Sequence, residues 1–154
     1  MSKRLALLPA LLGALWFASG CANRATATLT PGADLSRVKT FYVVHQPKDS
    51  YGIHNLIKDK LVKGGFTATA GPELPRPSYK ADSVITYVDR WMWDITMYLL
   101  ELTVTLRDPS NDFPLATGNS FHTSLTRKSP EEMVDEVLTN IFNTANPASN
   151  EGPQ

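Results

Sequence analysis

Ile95 to Arg107 read ITMYLLELTVTLR, and from Leu100 onward the stretch alternates without a break. Leu100, Leu102, Val104 and Leu106 are apolar, while Glu101, Thr103, Thr105 and Arg107 are polar. Side chains point to opposite faces along a strand, so this spacing predicts one buried face and one wet face, as in an antiparallel sheet. A strand-like run precedes it, Ser83 to Arg90, and another follows, Leu115 to Thr126, after RDPSNDFP. Asp108–Asp112 (DPSND) is dense in turn residues and lacks the glycine and distal Glu of a calcium-binding EF-hand loop, so it reads as the loop of a hairpin.

Upstream of these strands the period changes. TFYVVH, residues 40–45, is a β-branched and aromatic strand, and in YGIHNLIKDKLVKGG the residues Ile53, Leu56, Ile57 and Leu61 recur at helical spacing. Ser50 or Asp49 is available as the cap and Gly64-Gly65 as the stop. FTATA then predicts a strand parallel to the first, joined to it by a crossover helix, and GPELPRPSY is a proline-rich loop. Downstream, SPEEMVDEVLTNIF places Ser129 as N-cap, Pro130 at the first helical position and Glu132 as the return arm of a capping box. Met133, Val134, Val137, Leu138, Ile141 and Phe142 form its apolar stripe, with Glu136 expected on the wet side, where its loss would be nearly silent. The expected order is βαββββα: an α+β fold with a mixed, mainly antiparallel sheet of about five strands and two helices on one face.

The start of the chain carries a different signal. Lys3 and Arg4 precede the apolar run LALLPALLGALWF, which ends in the small residues of ASGC, an arrangement that predicts a cleaved secretory leader. Ala18-Ser19-Gly20-Cys21 resembles the lipobox of bacterial lipoproteins, in which the cysteine becomes the first mature residue and takes a diacylglyceryl group as a thioether. The resemblance implies a lipid anchor on Cys21. Ala22 in place of an inner-membrane retention Asp implies the periplasmic face of the outer membrane. The expected organisation is a signal peptide over residues 1–20, a lipidated cysteine and flexible tether over 21–35, a periplasmic domain over 36–143 and a disordered tail over 144–154. A tether of about 13 flexible residues spans roughly 20 Å.

Composition narrows the function. With Lys3 and Arg4 lost alongside the leader, 13 of the 15 basic residues face 15 acidic ones, a formal net of about −2 that offers no footprint for nucleic acid. Cys21 is the only thiol, so disulfides and thiolate metal sites within the chain are excluded. No hydrolase, zincin, Walker or dinucleotide motif occurs, and no cofactor is expected. His45, His54 and His122 lie on different elements and read as surface or half-buried histidines, and Arg127-Lys128 reads as a solvated basic pair. The stretch that asks for a role is DRWMWDITMY, residues 89–98, where two tryptophans, two methionines and a tyrosine fall at the return between two strands. With the bend within WMWD, Trp91, Trp93, Asp94 and Tyr98 are the candidate contact for an envelope protein partner, Trp93 the more exposed tryptophan and Trp91 the more buried; the alternatives are that both tryptophans pack over the sheet's second face or seal the core edge, and that the stretch touches lipid headgroups.

KGGFTATA, ADSVITYV, LELTVTLRDPSN and LATGNS in this order resemble penicillin-binding-protein activator lipoproteins and uncharacterised outer-membrane lipoprotein families over roughly Phe41 to Phe142. The resemblance implies a small periplasmic α+β domain. The expected function is a non-enzymatic binding or assembly module, with a carrier of a small amphiphile between sheet and helices as the alternative, and an enzyme as a third reading for which the sequence supplies no constellation.

Overall fold

The computed structural model describes residues 23–146, so the leader, Cys21 and residues 147–154 lie outside the described residues. In chain order the elements are β1 (Arg24–Leu29), β2 (Thr40–Val44), α1 (Ile53–Lys63), β3 (Thr67–Gly71), β4 (Ser83–Asp94), β5 (Thr96–Arg107), β6 (Pro114–Phe121) and α2 (Pro130–Ala145). They build an α+β fold around one mixed sheet of order β1-β6-β5-β4-β2-β3. The pairs β1/β6, β6/β5 and β5/β4 are antiparallel, and β2 pairs in parallel with both β4 and β3.

The helices form where the sequence carries their signals. In α2 the Ser129 hydroxyl accepts from the Glu132 N–H at 3.2 Å, while the Glu132 carboxylate accepts from the Ser129 N–H at 2.7 Å. Such a cap is worth about 1 kcal/mol. In α1 the N-cap residue is Gly52, with φ of 74°. Asp49 still does the capping from three residues away, its carboxylate accepting from the N–H groups of Tyr51, Gly52 and His54 at 2.7–3.2 Å.

One core joins both helices to one face of the sheet. Ile53, Ile57 and Leu61 of α1 and Met133, Val137, Leu138 and Ile141 of α2 are buried against Phe41, Ile85, Tyr87, Leu102, Val104 and Leu106. Glycine sets how closely α2 approaches β6. A Cβ built on Gly118 would stand 2.8–2.9 Å from side-chain atoms of Ile141 and Val137. The opposite face is covered only at one end, where the proline-rich loop lays Tyr79 over Val44 and Val84. Further along, that face is polar: Asn119 donates to Glu101 and Thr103, and Arg24 and Arg90 flank the Glu101 carboxylate at 3.5 and 3.3 Å.

The structure departs from the expectation in four places. Residues 24–29, expected within the tether, form edge strand β1, paired to β6 from Arg24↔Phe121 to Leu29↔Ala116. RATATL has few apolar side chains because only Ala27 and Leu29 pack on the core, and the ladder of backbone hydrogen bonds does the rest. The sheet therefore has six strands. The bend between β4 and β5 falls at Ile95, after WMWD, so β4 continues to Asp94. β6 ends at Phe121, and Ser124–Thr126 is a short 3-10 turn in place of the expected strand end. The last helix runs to Ala145, two residues into the segment expected to be a tail.

Adding one methyl group at Gly118 should be felt throughout the sheet–helix contact. Gly118→Ala is expected to lose about 1–3 kcal/mol, the usual cost of overpacking a core. A lower urea midpoint at unchanged slope is the expected result, and an unchanged midpoint would show that α2 does not lie over Gly118.

Candidate functional site

β6 accompanies β5 only as far as Glu101↔Phe121, and β2 accompanies β4 only as far as Val43↔Ile85. Beyond Glu101 the strands β4 and β5 pair only with each other, through Trp91↔Leu99, Met92↔Tyr98, Trp93↔Met97 and Asp94↔Thr96. They project as a two-stranded ribbon. At its root Arg90 pairs with Glu101 and Trp91 with Leu99, which leaves Leu100 as a bulge without an opposite number. A bulge re-aims the residues after it. Here it transfers the buried side of β5 from Leu102, Val104 and Leu106 to Leu99.

The ribbon's side chains are held unequally. Trp91 packs on the core, stacks on Tyr51 with ring centroids 3.7 Å apart, and donates its indole N–H to Asp89 at 2.7 Å. Trp93 is 68% exposed and Ile95, at the apex, 86%. Met92 and Met97 are about half exposed. Ile95 has φ of 60°, a left-handed conformation that β-branched residues rarely adopt. Asp94 and Tyr98 are already engaged. Arg127 lies over the Tyr98 ring at 4.5 Å and donates to the Thr96 hydroxyl at 2.7 Å, to the Asp94 carbonyl at 2.9 Å and to the Asp94 carboxylate at 3.4 Å.

Of the four residues expected to form a partner contact, Trp93 and Asp94 are exposed, while Trp91 supports the ribbon and Asp94 and Tyr98 hold it to the segment after β6. Three participants escape the sequence reading: Arg127, taken there as half of a solvated basic pair, Ile95, and Leu125, which is 89% exposed in the turn beside Arg127. Their signal is faint, since an isolated Ile or Leu next to polar residues has no period. Thr126, between Leu125 and Arg127, donates its hydroxyl to the Asn23 side chain at 2.5 Å. The hairpin, the turn and the start of the described chain therefore meet at one end of the molecule.

Two carboxylates, Asp49 buried and Glu136 half-buried, organise the rest. Asp49, its side chain fully buried, accepts from the Tyr87 hydroxyl at 2.7 Å and lies 2.9 Å from His54 Nδ1. Burial raises its pKa, but the His54 and Tyr87 hydrogen bonds outweigh that and hold it well below the usual carboxylate range. Burial, together with Asp49, raises Tyr87. His45 and His54, expected apart, have ring centroids 4.0 Å apart, yet no group of three potential metal ligands exists among the described residues. Glu136 corrects a second expectation. Half-buried at the margin of the wet face, it accepts from Ser120 Oγ at 2.6 Å, lies 2.7 Å from His122 Nε2 and pairs with Lys128. His122 is buried, against its expected half-exposed state. Ser120 and His122 both address the same carboxylate oxygen of Glu136, so the imidazole is not placed to activate the hydroxyl.

No protein-family model and no curated protein matches the chain. Solved structures do. A PelC dodecamer from Paraburkholderia phytofirmans, in a variant with one leucine replaced by methionine, is 17% identical, with a TM-score of 0.59 over 78% of this chain and 98% of that one. A second crystal form of the PelC dodecamer from the same organism gives 18% identity, a TM-score of 0.57 and coverage of 77% and 98%. A PDZ domain protein from Parabacteroides distasonis is 14% identical, with a TM-score of 0.51, covering 83% of this chain and 36% of that chain. At these identities the likeness establishes a shared α+β fold.

The two tryptophans should separate in stability. Trp91→Ala is expected to cost about 2–4 kcal/mol, somewhat less than a fully buried tryptophan, and Trp93→Ala less than about 1 kcal/mol. Chemical denaturation of both variants checks this. Glu136 makes a pH prediction. Burial pushes its pKa up, but Lys128, Ser120 and His122 hold it at about 2 against 4.5 unfolded. A lowered folded-state pKa stabilises fully above the unfolded value, so this contribution should vanish as pH falls from about 5 towards 2. Glu136→Gln should lose about 1–3 kcal/mol at neutral pH and show a shallower decline in melting temperature across that window. Parallel declines in both proteins would remove Glu136 as the titrating group.

Proposed function

We propose that the protein is a lipid-anchored assembly module of the bacterial cell envelope. Cys21 carries the lipid at the periplasmic face of the outer membrane, and the domain works by binding other envelope proteins, copies of itself included, and not by catalysis. The observation that carries this reading is the likeness to PelC chains that form dodecamers, which extends over 98% of their length. The sheet suits such contacts, because it ends in two unlike edges, β1 and β3. Head-to-tail association between copies needs two different surfaces of this kind.

The rival carrier reading needs an apolar groove between sheet and helices. Among the described residues a groove of about 540 Å³ runs between α1 and α2, lined by Lys60, Lys63, Lys128, Asp135 and Glu136 around Leu56 and Val134, and an apolar pocket lined by Leu61, Phe66, Leu138 and Phe142 holds only about 60 Å³, too little for an acyl tail. Charges of both signs crowd the groove and the Lys60–Asp135 ion pair spans the two helices. The larger groove is a solvated seam between helices, poorly matched to an amphiphile's tail.

Cell fractionation with crosslinking tests the proposal. The native protein is expected in the outer-membrane fraction with diacylglyceryl mass on Cys21, and Cys21→Ser without that mass and depleted from the outer-membrane fraction. Light scattering on the detergent-solubilised native protein is expected to give a multi-subunit mass. Absence of diacylglyceryl mass on Cys21 of the native protein would remove the anchor; a monomeric mass together with no crosslinked envelope protein would remove the assembly role.

A further inference from the structure

We propose that the tip of the β4–β5 ribbon is a second membrane anchor, which inserts Met92, Trp93, Ile95 and Met97 into the interfacial zone of the bilayer that holds Cys21. This rests on the lipidation of Cys21 proposed above. It is carried by where the chain leaves the domain.

β1 runs in the same direction as β5, since each is antiparallel to β6, and Arg24, Phe121 and Glu101 stand at one level of the sheet. Followed backwards from Arg24, the chain heads towards the ribbon tip. Asn23 is held there by Thr126, whose neighbour Arg127 grips Asp94 and Thr96 at the tip itself. From Arg24 to Cys21 is three residues, a reach of about 10 Å at most. From Glu101 to Ile95 is six residues along a strand, about 20 Å. The lipid's attachment atom therefore cannot stand farther out than the tip, and a fully stretched link leaves the apex about 10 Å deeper. Interfacial elements bury their apolar faces to about this depth, 5–10 Å.

The chemistry of the tip matches a lipid environment better than a protein surface. A partner with a flat surface would cover one face of the ribbon. This ribbon is apolar on both, with Trp93 opposite Met97 on one side, Met92 opposite Tyr98 on the other and Ile95 at the apex. Leu125 adds a further exposed apolar side chain beside Arg127. Asp94 is the only charged residue from Trp91 to Leu100, and Arg127 pairs with it. Tryptophan and tyrosine are the residues enriched at membrane–water boundaries. The apex holds Ile95 in a left-handed turn that Gly or Asn would adopt with less strain, a conformation that persists where the side chain itself has a use.

The mature chain has two tryptophans, because Trp16 lies in the leader. In Trp91→Phe, Trp93 is the sole reporter. The full lipoprotein carrying that change is purified from outer membranes, the mass of its Cys21 peptide is measured, and it is reconstituted into phosphatidylethanolamine vesicles with a minority of phosphatidylglycerol and brominated acyl chains. Diacylglyceryl mass on Cys21, a blue-shifted Trp93 emission and strong quenching by the brominated lipid are the expected results. Ile95→Asp in the same background should abolish most of that quenching at an unchanged melting temperature. With the lipid mass present, a Trp93 still open to aqueous acrylamide overturns the tip and leaves the anchor standing. A Trp93 shielded from acrylamide yet unquenched by the lipid also overturns it, in favour of a protein contact. Absence of lipid on Cys21 overturns the anchor, and the tip proposal with it.

Discussion

The register of β1 against β6 decides what the rest of the molecule can do. Pairing Arg24 with Phe121, and not with a residue a few positions earlier, puts the start of the described chain at the end of the sheet where β4 and β5 run on alone. A slip by one residue would turn Ala27 and Leu29 away from the core they pack on. The ladder thus ties two matters together: which side chains of an edge strand are buried, and where the chain enters the domain. Thr126 and Arg127 reinforce it, since they bond to Asn23 on one side and to the hairpin on the other.

Behind that end, two carboxylates, one buried and one half-buried, fix elements that apolar contact alone would leave free to slide. Asp49 joins the entrance of α1 to Tyr87 on β4, and Glu136 joins α2 to Ser120 and His122 at the end of β6 and to Lys128 in the segment between them. Each carboxylate meets several donors, which is what makes a buried charge tolerable. Both lie on the side of the sheet that the helices cover, so they set where the helices sit along the strands. Gly118 then sets how near α2 comes.

How much of this was legible in the sequence follows from how local each signal is. The alternation of β5, the capping box of α2, the βα unit from Thr40 to Gly71 and the turn at Asp108 depend on neighbours a few residues apart, and each is present. β1 depends on β6 some ninety positions later, and RATATL contains nothing to show that a ladder awaits it. Glu136 fails for the same reason: it lies just outside the apolar stripe, and only the fold reveals that Ser120 and His122 face it. The aromatic stretch at residues 89–98 was visible, but its division was only partly so. Trp91 and Trp93 share a face of β4, and what separates them is Tyr51, from the loop before α1.

The free edges of the sheet gain meaning from the anchoring proposed for its end. A domain on one lipid-linked thiol can turn about that point, and its edges then point in every direction. A second contact at the hairpin tip removes most of that freedom. The strands must then stand steeply on the bilayer, because Arg24 and the tip lie at the same end of them. In that posture β1 and β3, at opposite ends of the strand order, face sideways along the membrane plane. On that proposal, copies anchored in the same leaflet would meet edge to edge there at a raised effective concentration, so contacts too weak to hold free subunits together in solution would be enough to assemble them at the surface.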